Sequence, residues 1–129
     1  MKTVLYAKGI DKMGDHLETI IHAQVNGIKI KTCTSIEGLF QILRKPLNNL
    51  SVVILWIASI NDLVEFNLMG TLFDDIKIIL ILPDRKKQTL ALGCKLKPSF
   101  VSYVDSDLQD VASVLKQILK KTKEKKQHG

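Results

Sequence analysis

Apolar positions along the chain fall into two alternating kinds of segment. Val4–Ala7 is a short apolar run. Ile28–Cys33 alternates apolar and polar residues, Leu50–Ala58 is apolar throughout after Ser51, and Ile76–Leu82 is nearly so. Phe100–Val104 is mixed, with Ser102 and Tyr103 supplying polar atoms. These five runs read as strands. Between and after them, apolar residues recur at helical spacing. Leu17, Ile20, Ile21 and Val25 form one stripe; Leu39, Phe40, Ile42 and Leu43 a second, which Pro46 stops; Leu63, Phe66 and Leu68 a third. Leu90 serves a fourth helix, with Gly93 as its expected C-cap. Leu108, Val111, Ala112, Leu115, Ile118 and Leu119 make the longest stripe.

The strands differ in a way that orders them. A strand buried on both faces reads as an unbroken apolar run, whereas an edge strand tolerates alternation and Lys. The first, third and fourth strands are therefore expected at the centre, and the second and fifth at the edges. The order 2-1-3-4-5 satisfies this and is one of the common doubly wound arrangements. The expected fold is a three-layer α/β/α domain with a five-stranded parallel sheet of flavodoxin-like form.

Helix-start signatures stand in the gaps. Asp15-His16-Leu17-Glu18, Thr34-Ser35-Ile36-Glu37, Ser59-Ile60-Asn61-Asp62 and Ser106-Asp107-Leu108-Gln109 resemble capping boxes. Asp84 suits the start of the fourth helix.

The chain has 129 residues, 46% hydrophobic and 25% charged, which suits one domain with a real core. Residues 1–121 are expected to form it, and residues 122–129 a Lys-rich tail. The apolar runs are too short for a bilayer span, and the first residues lack signal-peptide character, so the expected location is cytoplasmic. The formal net charge is +6, but residues 116–126 carry six Lys and one Glu, leaving the rest near +1. The basic excess belongs to the tail. No aromatic residue interrupts it, so a nucleic-acid role is not expected. Arg85-Lys86-Lys87 is a second basic run, read as a solvated face. Cys33 and Cys94 are read as buried or half-buried thiols and not as a disulfide framework.

In doubly wound sheets ligands bind beyond the carboxyl ends of the strands, at the switch point between the first and third. Here that rim holds Ala7, Lys8, Gly9 and Ile10, facing Trp56, Ile57, Ala58 and Ser59. Gly9-Ile10-Asp11-Lys12-Met13-Gly14 is not G-x-G-x-x-G, and Asp15-His16 stands where a P-loop needs Lys-Ser/Thr; the glycines are read as loop residues. His16 and His22 point to different helix faces and cannot share a metal. No G-x-S-x-G elbow is present. Neither cofactor nor metal is expected, and no enzymatic activity.

The alternation, the order and the length resemble the receiver domain of response regulators over about residues 2–121. Leu92-Gly93-Cys94 looks like the family's small-residue turn after the fourth helix, and Phe100-Val101-Ser102-Tyr103 like its fifth strand. The resemblance implies where phosphoryl chemistry would sit. The acidic pair that binds Mg²⁺ matches Ala7 and Lys8. The phospho-accepting Asp matches Trp56 or Ile57, and no carboxylate occurs from Leu50 to Asn61. The Thr or Ser ending the fourth strand matches Leu82; the Lys-Pro pair after the fifth matches Tyr103 and Val104. Asp11 and Asp15 are expected as loop and cap residues. Mg²⁺ needs oxygen ligands and phosphoryl transfer a nucleophilic carboxylate, so a receiver-like domain acting through protein contacts in a two-component-type system is expected. The fourth helix, fifth strand and fifth helix would present the surface, with Lys95, Lys97, Phe100 and Tyr103 as candidates, to a protein partner or a second copy. Phe100 also matches the family's aromatic switch position, with Tyr103 near enough to compete for it. The alternative is a small flavodoxin-like ligand-binding protein or enzyme with Trp56 stacking on a flat ligand at the switch point.

Overall fold

The computed structural model describes residues 2–8, 11–44 and 50–128. In chain order the elements are β1 (Lys2–Ala7), α1 (Asp11–Gln24), β2 (Ile30–Cys33), α2 (Ile36–Leu43), β3 (Leu50–Trp56), α3 (Ile60–Leu68), a 3₁₀ turn (Gly70–Phe73), β4 (Lys77–Leu82), α4 (Lys87–Cys94), β5 (Phe100–Tyr103) and α5 (Gln109–His128). The sheet is parallel throughout, in the expected order β2-β1-β3-β4-β5.

Period-two alternation divides the core between the two faces. Val53, Leu55 and Ile57 join Val4, Tyr6, Leu80 and Leu82 on the face covered by α2, α3 and α4. Val52, Ile54 and Trp56 join Leu5, Ile79 and Ile81 on the face covered by α1 and α5. Leu17 and Ile21 of α1 and Val111, Ala112 and Leu115 of α5 close that second layer. The unbroken runs of β1, β3 and β4 are thus buried on both faces, whereas β2 leaves Lys31 and Thr32 exposed at the edge.

The elements depart from the sequence reading mainly at their ends. β2 begins at Ile30 and β5 stops at Tyr103, each shorter than expected. α1 starts at Asp11, so Asp15 is not a cap but an exposed residue one turn inside, its backbone carbonyl accepting the Thr19 hydroxyl at 3.0 Å. Gly14 accordingly lies in the helix and not in a loop, while Gly9 and Ile10 lie outside the described residues. At α2 the cap is Ser35 and not Thr34: its hydroxyl accepts the Gly38 N–H at 3.0 Å. Pro46 lies outside the described residues. Ser59 precedes α3, but its side chain makes no capping bond. Asp84 accepts the Lys86 N–H at 2.9 Å at the entrance to α4, and this bond and one from Thr89 hold its carboxyl below the usual range. At α5, Asp107 takes the Gln109 N–H at 3.0 Å, while the Ser106 hydroxyl turns back to the Tyr103 carbonyl at 2.7 Å. α5 continues as one helix across residues 121 and 122.

Gly93 does not cap α4, nor do Leu92-Gly93-Cys94 form a turn; all three lie within the helix. Gly93 is buried there because a Cβ would stand 3.1 Å from Leu80 Cδ1, so its lack of a side chain lets α4 approach β4 closely. Leu68 is 83% exposed and Leu90 38%, so neither anchors its helix; α3 is held by Leu63 and Phe66, and α4 turns Thr89 and Gly93 inward. Cys94 is exposed, unlike Cys33, whose thiol burial pushes upward in pKa. The 3₁₀ turn, which has no hydrophobic period to betray it, places Phe73 in the core.

Candidate functional site

β1 and β3 end side by side, with Ala7 paired to Trp56. Together with the end of β4 they build the crest at which a ligand of this fold would sit. Ala7 and Trp56 are only 6% and 7% exposed, and Ile57 and Leu82 are fully buried. The Trp56 ring belongs to the α1/α5 core, so it offers no open face for stacking a flat ligand. Ala58 and Ser59 are exposed, and the Ile57 N–H is held by the Ile81 carbonyl at 2.9 Å.

Lys8 stands exposed at this crest, and its partner was not identified from the sequence. Its Nζ lies 3.6 Å from Oδ1 of Asp62, in the first turn of α3. The Lys8 side chain is 58% exposed but Asp62 only 2%. Asp62 therefore does not close a capping box. It sits four residues before Phe66, on the buried side of α3, which was the available signal: at about 100° per residue the two side chains nearly eclipse. The Asp62 Oδ2 and the Tyr6 hydroxyl are buried with no hydrogen-bond partner in the structure. Tyr6 meets the Phe66 ring edge-on, centroids 5.1 Å apart. Burial first, then the charges of Asp62 and Glu65, push the Tyr6 phenol up to about 12.

A second polar cluster stands beside the crest, between the β4–α4 and β5–α5 loops. The Arg85 guanidinium lies 4.2 Å above the Tyr103 ring and donates to both Asp105 oxygens at 2.7 and 2.6 Å. Both charged groups are largely exposed. Behind them Ser102 is buried, its hydroxyl bonded to Ser106 and Asp110.

The four expected surface residues do not form one patch. Tyr103 is half-buried over the α2/α3/α4 core at the carboxyl end of β5. Phe100, at the other end, packs against the α1/α5 core. Lys95 and Lys97 lie in the α4–β5 connection, at the opposite end of the sheet from the crest. There they line a groove of about 380 Å³ with Asp74 and Asp75 of the turn before β4.

Among the described residues no group of three or more His, Cys, Asp and Glu could hold a metal ion. A hard divalent ion takes several oxygens; the crest positions offer alanine, lysine, tryptophan, isoleucine and leucine, and the nearby Asp62 already faces Lys8. These described crest residues do not fit Mg²⁺.

No family model and no curated protein matches this chain. Solved structures do. A response regulator receiver domain protein from Methanospirillum hungatei is 14% identical with a TM-score of 0.70, covering 100% of this chain and 99% of that one. A LuxR family DNA-binding response regulator from Silicibacter pomeroyi is 11% identical with a TM-score of 0.70, over 93% and 92% of the two chains. A putative pilus assembly-related protein from Burkholderia pseudomallei is 14% identical with a TM-score of 0.71, over 92% and 89%. At these identities the likeness is one of fold, and it spans nearly the whole chain. Among the described residues no helix is long and apolar enough to cross a membrane.

Proposed function

We propose that this chain is a receiver-like signalling domain that takes no phosphoryl group and works by contact with other proteins. One observation carries the reading: the crest positions corresponding to the receiver's acidic pair, phospho-acceptor and hydroxyl are Ala7, Lys8, Trp56, Ile57 and Leu82, of which only Lys8 is exposed. A phosphoryl group must be attacked by a carboxylate whose charge is balanced by a cation. Here Asp62, the carboxylate facing Lys8, is buried beneath that lysine. In this reading the domain is not an enzyme and takes up no cofactor.

The partner surface in this reading runs along α4, β5 and α5. Arg85 and Tyr103 are its ordered centre, and exposed Leu90 and Cys94 extend it on α4. Arginine and tyrosine are enriched among residues that dominate binding energy. The pilus assembly-related description of one similar structure and the response-regulator descriptions of others are both compatible with a domain used for assembly or signalling in bacteria and archaea.

Incubation with acetyl phosphate and Mg²⁺, read by intact mass, tests the central claim. The expected mass is unchanged; an added phosphoryl group, lost on Asp62→Asn, would overturn it.

A further inference from the structure

The groove at the base of the sheet lies at the far end from the crest. Asp74 and Asp75 stand on the turn before β4, and Lys95 and Lys97 on the turn after α4. All four are exposed, and none forms an ion pair among the described residues, whose pairs are Lys8–Asp62 and Arg85–Asp105. Asp75 and Lys97 hold left-handed backbone angles, φ 67° and 55°, which fix the direction of both turns. Phe73, Ile76 and Leu96 give the groove an apolar part. Leu68 follows the lining residue Asn67 at the end of α3 and is 83% exposed; Val64, one turn earlier on α3, is 45% exposed.

A lone exposed leucine is ordinary. This one lies on the helix that supplies Asn67 to an apolar recess flanked by unpaired charges of both signs. Such a surface is complementary to itself. In a two-fold pair the same patch serves both copies, so each contact between an acidic turn and a basic turn occurs twice. We propose that this face joins two copies of the chain, with Asp74 and Asp75 of each against Lys95 and Lys97 of the other, and Leu68 of each beside its partner's groove. This stands apart from the crest chemistry and leaves the Arg85–Tyr103 surface free for another protein.

Sedimentation equilibrium over a concentration series tests it. The wild-type chain is expected to approach twice the mass of one chain as concentration rises, and to dissociate as salt screens the exposed charges. Leu68→Glu should weaken association roughly tenfold or more, as loss of an anchoring side chain does. Asp74→Lys and Lys95→Glu each place like charges across the axis and should each be monomeric. Mixed in equal amounts, they should recover the dimer, since the introduced lysine of one chain then faces the introduced glutamate of the other, while the unaltered acidic turn of the second faces the unaltered basic turn of the first. Asp75 and Lys97 are left alone because their left-handed backbone resists substitution. Circular dichroism and melting temperature confirm that each variant is folded. A wild-type chain that stays monomeric at millimolar concentration overturns the proposal. So does a mixture that fails to associate, or a dimer dissociated by Arg85→Glu but not by Leu68→Glu.

Discussion

Tyr6 is the largest fully buried side chain of β1, and its hydroxyl has no hydrogen-bond partner in the structure. An unpartnered buried hydroxyl costs free energy that a phenyl ring does not, so Tyr6→Phe should raise stability by about 1 kcal/mol near neutral pH. The same hydroxyl sets an alkaline limit. Its folded value of about 12 lies above the unfolded value near 10, so the folded state keeps a proton that the unfolded chain loses. The contribution is complete below pH 10 and is lost as pH rises toward 12, by roughly 2–3 kcal/mol across that window. Denaturant titrations of wild type and Tyr6→Phe at several alkaline pH values should diverge there, with the variant declining less. The Lys8–Asp62 pair is asymmetric in another sense. Lys8 can rehydrate when its partner is removed; Asp62, 2% exposed, cannot. Lys8→Met should therefore destabilise more than Asp62→Asn. The cost of stranding the carboxylate is about 1–3 kcal/mol, toward the low end because the lysine is more than half in water. Equal losses from the two variants would show that the pair's attraction, not the burial of Asp62, sets its worth.

At the scale of elements, the strands were easier to read than the helix ends. A central strand writes its two-sided burial directly into an apolar run, and β1, β3 and β4 all did so. A helix end depends on which of several neighbouring polar groups wins the first free N–H. Ser35 prevailed over Thr34, and Asp107 over Ser106, choices that the local sequence leaves nearly degenerate. Gly93 shows the same limit differently. A glycine near a helix end looks like a cap, but here the distance between α4 and β4 uses it. Gly93→Ala should be close to neutral, because about 1 kcal/mol of helix propensity offsets the contact with Leu80. Gly93→Val adds bulk that the buried Leu80 and Leu82 cannot yield to, and should cost roughly 1–3 kcal/mol. Thermal melts of the pair decide this. Equal stability of all three proteins would mean that α4 is free to move off the sheet.

For the whole molecule, the sheet order was legible because it follows from which strands are buried on both faces, and so was the burial of Ala7, Trp56, Ile57 and Leu82, whose positions the strands dictate. The Lys8–Asp62 pair was not, because it depends on how α3 is rotated over β1. The basal groove was not either: its walls come from turns twenty residues apart that meet only because β4 and β5 are neighbours. The resulting molecule separates its surfaces, with a crest closed by apolar side chains at one end and an open charged groove at the other. That separation predicts the response to ions. A ligand bound at 100 times its dissociation constant adds about 2.7 kcal/mol to stability, which a melting curve of a domain this size registers as a shift of several degrees. Under the proposed function, millimolar Mg²⁺ with beryllofluoride should leave the melting temperature of this chain where it was, because the described crest residues offer a paired lysine and apolar walls in place of an oxygen cage. Sodium chloride should act at the other end of the molecule, lowering the melting temperature of concentrated samples as the charged groove faces come apart, and doing so far less in Asp74→Lys. A rise with Mg²⁺ and beryllofluoride that vanished in Asp62→Asn would instead make the buried carboxylate a ligand, and would reverse the assignment of the two ends.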